Sequence, residues 1–290
     1  MGTTRLRTVW WLFRRSFIRA YEDGCFGTAK GAAYSALLCF FPLLTVTATI
    51  LVQIEAEPIS RILYRVLSQI VPPGTEGPVL ENFRARGQRP AALLVAATLI
   101  SIWAASRVMT SLMEGFQAAY HIPTGRPFLR NQGMAIFLVL ATALPVALAL
   151  GLVLFGTRAE QVVLRWLGVV QAGQELQDWV AFIARISRYV VALAANVAVA
   201  AVLYRLGPNR PQRWLFVLPG SALATLLWLA STLGFGWYVR NIASYNLLYG
   251  SIGAAIALVV WMYVLSASLL IGCEFNAEYE HLMRLGAARD

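Results

Sequence analysis

Ser251-Ile-Gly-Ala-Ala-Ile-Ala-Leu-Val-Val-Trp261-Met-Tyr-Val-Leu-Ser-Ala-Ser-Leu-Leu-Ile-Gly-Cys273 contains no charged side chain and is followed at once by Glu274. A helix needs about 20 mostly apolar residues to cross the roughly 30 Å hydrocarbon core of a bilayer, and this stretch supplies them. The uncharged run reaches back to Asn241, but its opening, Asn241-Ile-Ala-Ser-Tyr-Asn-Leu-Leu-Tyr-Gly250, is rich in turn formers. The helix is therefore expected to start near Ser251.

Five more intervals have the same character: Gly31–Ile54, Pro90–Ser106, Asn131–Thr157, Tyr189–Tyr204 and Trp214–Val239 are all free of Asp, Glu, Lys and Arg. The second and fourth are short for a span. Their helices can run past Arg107 and back past Arg188, whose long side chains reach the interface. The reading is an all-α integral membrane protein, one membrane domain over residues 1–290. Its six transmembrane helices lie at about 31–54, 90–108, 131–157, 183–205, 214–239 and 251–273. Composition agrees, with 59% hydrophobic and 13% charged residues and a mean hydropathy of +0.63, against about 45–50% apolar and 25% charged in soluble domains. A soluble fold, a disordered chain and a cytosolic enzyme are excluded. Cys25, Cys39 and Cys273 form no CxxC pair and read as small core residues.

The net charge is +10, and Lys30 is the sole lysine among 24 basic residues. Counting Lys and Arg by side puts 14 with the N-terminus and 10 on the opposite side, so both termini are expected in the cytoplasm. Arg5, Arg7, Arg14, Arg15 and Arg19 interleave with Trp10, Trp11, Phe13, Phe17 and Ile18 over residues 1–30. This pattern fits a helix lying in the cytoplasmic interface, with arginine toward lipid phosphates. Outside, Ile59, Ile62, Leu63, Val66, Leu67 and Ile70 follow helical spacing until Pro72-Pro73-Gly74, and Leu176, Trp179, Val180, Ile183 and Ile186 repeat it. Each is expected to be an outer amphipathic helix.

Several stretches carry a resemblance. Ala32-Ala-Tyr-Ser-Ala-Leu-Leu-Cys-Phe-Phe-Pro42-Leu-Leu comes first, then Ala105-Ser106-Arg107, Ala119-Tyr120 and Arg126-Pro127-Phe128. Leu203-Tyr204-Arg205, Pro208-Asn209-Arg210 and Pro219-Gly220-Ser221-Ala222 follow. The most specific are Ser244-Tyr245-Asn246, Tyr249-Gly250-Ser251-Ile252-Gly253-Ala254 and Gly272-Cys273-Glu274-Phe275-Asn276-Ala277-Glu278. In order over residues 30–280, the chain resembles the YihY/BrkB family of bacterial inner-membrane proteins, some of which carry an old ribonuclease BN label. Relatives often have an acidic residue shortly before Arg-Pro-Phe, where this chain has Pro123-Thr124-Gly125. The resemblance implies an inner-membrane location and an envelope role with links to virulence and lipid export; it implies no reaction.

The residues argue against catalysis. Metal-dependent RNA cleavage needs clustered His and carboxylate ligands, whereas His121 and His281 stand far apart and no HExxH, GxSxG or Walker A string occurs. No metal, no cofactor and no nucleic acid partner is expected. Polar residues at the ends of spans are the better signal. Lys30, Arg107, Arg205 and Glu274 should share one cytoplasmic layer. That layer is either a belt of interfacial anchors or a cationic pocket for phosphate-bearing lipid headgroups, with Glu274 paired to an arginine, Arg107 first. Pro42, Asn196, Asn246 and Gly250 are polar or hinge positions within the membrane region, accounted for equally by helix packing. The function expected is handling or transport of lipid or another amphiphile; a scaffold that docks an envelope protein is the alternative, and a ribonuclease ranks last. Cysteine-accessibility labelling checks the topology: residue 207 should label from the cytoplasmic side and residue 74 from the opposite side.

Overall fold

The computed structural model describes residues 2–53, 91–123, 125–166, 178–241 and 250–287. Among them are seven helices and no strand: α1 (Gly2–Glu22), α2 (Cys25–Gln53), α3 (Ala91–Ala119), α4 (Phe128–Trp166), α5 (Asp178–Leu206), α6 (Trp214–Asn241) and α7 (Gly250–Ala287). Six hold segments long and apolar enough to cross a membrane, namely Cys25–Thr47, Leu94–Ala119, Phe128–Leu148, Ile186–Leu206, Trp214–Tyr238 and Ala255–Arg284. The six-span, all-α reading is thus met.

The helices outrun the uncharged intervals because Arg, Lys and Glu are good helix formers; leaving the hydrocarbon does not end a helix. The 38 residues of α7 rise about 57 Å, far more than a bilayer core needs. One expectation changes. Trp179 to Ile186 is no separate outer helix but the start of α5, because nothing between Asp178 and Leu206 breaks helical bonding. The stretch 59–70, Leu176 and Asn246 lie outside the described residues, whereas Gly250 opens α7.

The six spans pack in chain order, α2 on α3, α3 on α4 and so on, and α7 returns to α2 to close a ring. α7 also touches α3, and α1 lies mainly against α7. This joins both chain ends at one end of the bundle. Burial is confined to that end: among described span side chains, the buried positions lie in 25–39, 101–119, 135–142, 200–204, 217–225 and 266–280. In the other half no described span side chain is buried. Phe116 and Tyr204, fully buried, meet edge to face at 5.4 Å between centroids at the centre of the packed half.

The tightest contact is the crossing of α6 and α7. A Cβ on Gly272 would lie 2.6 Å from the Gly220 carbonyl oxygen and 2.7 Å from Ala224 Cβ, and one on Gly220 would run into the Gly272 carbonyl. Only glycine lets the two backbones approach so closely. Pro219 lacks an N–H of its own. The neighbouring Gly220 N–H turns to Asn276 Oδ1 at 2.7 Å, while Asn276 Nδ2 donates to the Val217 carbonyl at 3.0 Å. Tyr204 adds α5 by donating its hydroxyl to the Leu269 carbonyl at 2.6 Å.

Gly207 is packed under Phe116, and a Cβ there would approach Phe116 Cδ2 to 2.7 Å. The exposed Asn209 is therefore the better labelling position in the loop it shares with Gly207. The crossing generates its own test. Gly220→Val should lower stability in detergent by about 1–3 kcal/mol, the usual cost of overpacking. Gly133→Ala, where nothing lies within 4 Å, should leave thermal unfolding unchanged or slightly improved.

Candidate functional site

Where the chain ends meet, α7 leaves the apolar run and presents Glu274, Ala277, Glu278, Glu280, His281 and Arg284. Spacings of three and four put most of them on one helical face. That face, the end of α1, the end of α3 and the α5–α6 connection border an open cavity of about 230 Å3. Arg15, Arg19, Arg210 and Arg284 line it with Asp23, Tyr120, His121, Glu274, Glu278 and Glu280.

Two carboxylates on α7, Glu278 and Glu280, take most of the arginine pairs. Glu278, almost fully buried, receives Arg15 Nε at 2.8 Å and Arg19 Nε at 3.3 Å, and Arg19 also reaches Glu22 at 3.1 Å. Glu280 receives Arg210 at 2.6 Å and Arg284 at 2.5 Å. Arg210 lies over the Tyr120 ring, 4.6 Å from its centroid. The Tyr120 hydroxyl donates to Gln212 Oε1 at 3.3 Å. Burial pushes this phenol far above its ordinary pKa, so it stays a neutral donor.

The loops are held by caps. α3 ends with the Ile122 N–H on the Gln117 carbonyl and the His121 N–H on the Ala118 carbonyl, the Schellman pattern. His121 occupies its left-handed position at φ 49°, where glycine is usual. Arg126 caps α5: Nη1 donates to the Gly207 carbonyl at 2.7 Å, and Nη2 to the Leu206 and Pro208 carbonyls at 2.9 and 3.1 Å. A cation suits the negative end of the helix dipole. Burial, and then Arg130, lower the Arg126 pKa from its usual value. With no acid in Pro123-Thr124-Gly125, carbonyl oxygens are what this arginine binds.

Of the four residues expected to share a layer, the cavity takes one. Glu274 lines it, 1% exposed, and accepts a hydrogen bond from Cys25 Sγ–H at 3.3 Å. Lys30 is exposed on α2. Arg107 is exposed on α3 over the Trp103 ring at 5.7 Å, and Arg205 sits over Trp214 at 4.2 Å. The expected Arg107–Glu274 pair is absent among the described residues, because Arg107 lies nine positions before the buried Phe116 and so on the opposite side of α3. Asn196 and Pro42 are half-buried in the loosely packed half, Asn196 one turn before buried Ala200 on the same stripe of α5. The arginines that do line the cavity stood in plain view, Arg15 and Arg19 in the basic first helix and Arg210 and Arg284 in the connection and tail. The usable signal was Glu274, Glu278 and His281 at successive helical turns.

Comparison with known proteins adds the following. Residues 16–290 match the family described as Virulence factor BrkB. A putative ribonuclease-like protein, YfkH of Bacillus subtilis, is 29% identical over 256 residues, covering 87% of this chain and 89% of that protein. A UPF0761 membrane protein of Chromobacterium violaceum is 27% identical over 84% of this chain and 56% of its own length. One from Laribacter hongkongensis is 24% identical over 91% and 60%. This chain therefore spans little more than half of those two membrane proteins. No solved structure matches. The ribonuclease-like wording belongs to YfkH; among the described residues here, no group of three or more His, Cys, Asp or Glu is placed to hold a metal ion.

The Arg126 cap generates a measurable expectation. Arg126→Ala should cost about 2–3 kcal/mol of stability, since charge-assisted hydrogen bonds are lost and carbonyls are left unmet. Arg126→Lys should recover only part of it, because a single ammonium cannot span three carbonyls as the guanidinium fork does. Thermal unfolding of both variants in detergent reads the difference.

Proposed function

This chain belongs to the virulence factor BrkB family, and from that premise and the one-sided packing of its helices we propose that it handles a lipid or similar amphiphile within the membrane. The carrying observation is that, among the described residues, the buried span side chains are confined to the half of the bundle where α1 meets α7. A bundle that served only to anchor would gain from packing along its whole length. Here the spans are pinned at one end, and the other half leaves apolar side chains such as Leu193, Leu226, Leu233 and Ile256 exposed. In lipid such surfaces accept acyl chains at no hydrophobic cost. The half-buried Asn196, on the inward stripe of α5, offers a polar contact to a headgroup or glycerol backbone.

The closed end is assigned to the cytoplasm on the arginine count, with the inner membrane of a bacterium as the location. α1 fits this placement. It buries Leu12, Ser16 and Ala20 and leaves Trp10, Trp11, Phe17, Ile18 and Tyr21 exposed beside Arg7 and Arg14, a surface suited to the headgroup region. Arg15 and Arg19 are turned to Glu278, so fewer arginines are free for lipid phosphate than the sequence led us to expect. The reading is non-enzymatic. The scaffold reading draws on the same α1 face, which a protein partner would also fit.

Reconstitution in liposomes separates the two. Vesicles containing the protein should move a fluorescent phospholipid between leaflets faster than protein-free vesicles, and Asn196→Trp, which fills the inward stripe, should slow that movement severalfold without unfolding the protein. Movement no faster than in protein-free vesicles would remove the amphiphile reading and leave the scaffold.

A further inference from the structure

The closed-end cavity contains two carboxylates that its arginines do not serve, Asp23 and Glu274. Glu278 takes Arg15 and Arg19, and Glu280 takes Arg210 and Arg284. Glu274 lines the same cavity and is the most deeply buried of the three at 1% exposure. Among the described residues it makes no ion pair, and its hydrogen bond comes from the weakly donating thiol of Cys25 at 3.3 Å. Nearby, Asp23 Oδ2 is buried with no hydrogen-bond partner, and Asp23 Oδ1 stands 3.8 Å from His121 Nδ1.

We propose that Glu274 is a proton-binding site, loaded through this cavity from the side of the membrane where both termini lie. An ionised carboxylate so deeply buried needs a cation or several strong donors, and the fold gives it one thiol. Every group facing it points the same way or is already engaged. Arg19 from α1 is held by Glu22 and Glu278. Asp23 from the α1–α2 turn adds negative charge. Cys25 from α2 and Cys273 beside it on α7 are neutral thiols, and Tyr120 at the end of α3 is a neutral phenol. His121 is directed to Asp23, Arg210 to Glu280, and Glu278 adds a second negative charge on α7 itself. His281 lines the cavity one turn beyond Glu278.

The chemistry balances simply. Water in the cavity delivers a proton to a Glu274 carboxylate oxygen, the carboxyl stays hydrogen-bonded to the Cys25 thiol, and loss of the proton returns an anion to a cavity that already holds Asp23, Glu278 and Glu280. The four arginines then face four carboxylates rather than three, so proton binding shifts the cavity toward net positive charge. This inference goes beyond the amphiphile reading and holds whatever the protein carries.

Dicyclohexylcarbodiimide, which reacts with protonated carboxyls in apolar surroundings, is the probe. Applied to the wild-type chain in detergent, it should form an adduct on Glu274 that mass spectrometry locates, with labelling falling severalfold as pH is raised through the neutral range. Glu278 and Glu280, each held by two arginines, should stay unlabelled. The isosteric Glu274→Gln supplies a second readout: wild-type thermal stability should fall as pH rises through that range, and the variant should be as stable as wild type or more so, with that fall removed. No adduct on Glu274, equal adducts on Glu278 and Glu280, or a variant less stable than wild type at every pH would each overturn the proposal.

Discussion

Everything at the closed end depends on how near α6 and α7 can come to one another. Two residues without side chains, Gly220 and Gly272, let the backbones touch, and Asn276 then reaches the Gly220 N–H and the Val217 carbonyl beside Pro219. That contact fixes α7 in rotation as well as position. With Asn276 turned to α6, helical geometry directs Glu274 and Glu278 away from it, toward α1 and α2. The charged face meets Arg15, Arg19 and Cys25 for this reason. Larger residues at the crossing would alter the cavity from a distance, although neither glycine lines it.

Fastening is unequal along the bundle. In water, apolar burial would reward packing throughout; in lipid that reward is nearly absent, and close fit and hydrogen bonds decide where helices hold. The interhelical hydrogen bonds of Tyr204 and Asn276, the T-shaped Phe116–Tyr204 pair and the Arg126 cap all lie toward the termini. Serine and threonine hydroxyls in both halves turn back onto their own helices, as Thr47 to Leu43, Ser231 to Leu227, Ser221 to Val217 and Ser268 to Val264 show. Such hydroxyls satisfy themselves and tie no neighbour. The split between a bound half and a free half follows from where interhelical donors were placed.

The fold was largely legible because a bilayer imposes a length, and uncharged intervals measure length directly. The six spans and their alternating direction follow from that alone. The site was only partly legible. Charge-free intervals give the depth of a residue and say nothing of its direction around the helix. Lys30 and Arg205 lie near the ends of their spans, but Arg107 falls midway along Leu94–Ala119 and faces away from the bundle, and Arg205 rests on Trp214. Direction was recoverable only where a helix continued past the membrane in mixed composition, as α7 does from Glu274 to Arg284. The α1 arginines were placed at lipid because a basic amphipathic helix reads that way; their protein partner, Glu278, lies more than 250 residues away in the chain.

The meeting of α1 with α7 has a consequence for biogenesis. A ribosome delivers α1 well before α7, so Arg15 and Arg19 have no Glu278 to meet until the five intervening helices have been made. α2 likewise waits for α7, its ring neighbour, while four other spans are inserted. Until then the early spans must survive in the bilayer as a partial arc, held chiefly by the contact of α2 with α3. Completion of the ring is a single late event, and a chain cut short before Glu274 would leave its N-terminal helix with nothing to close on.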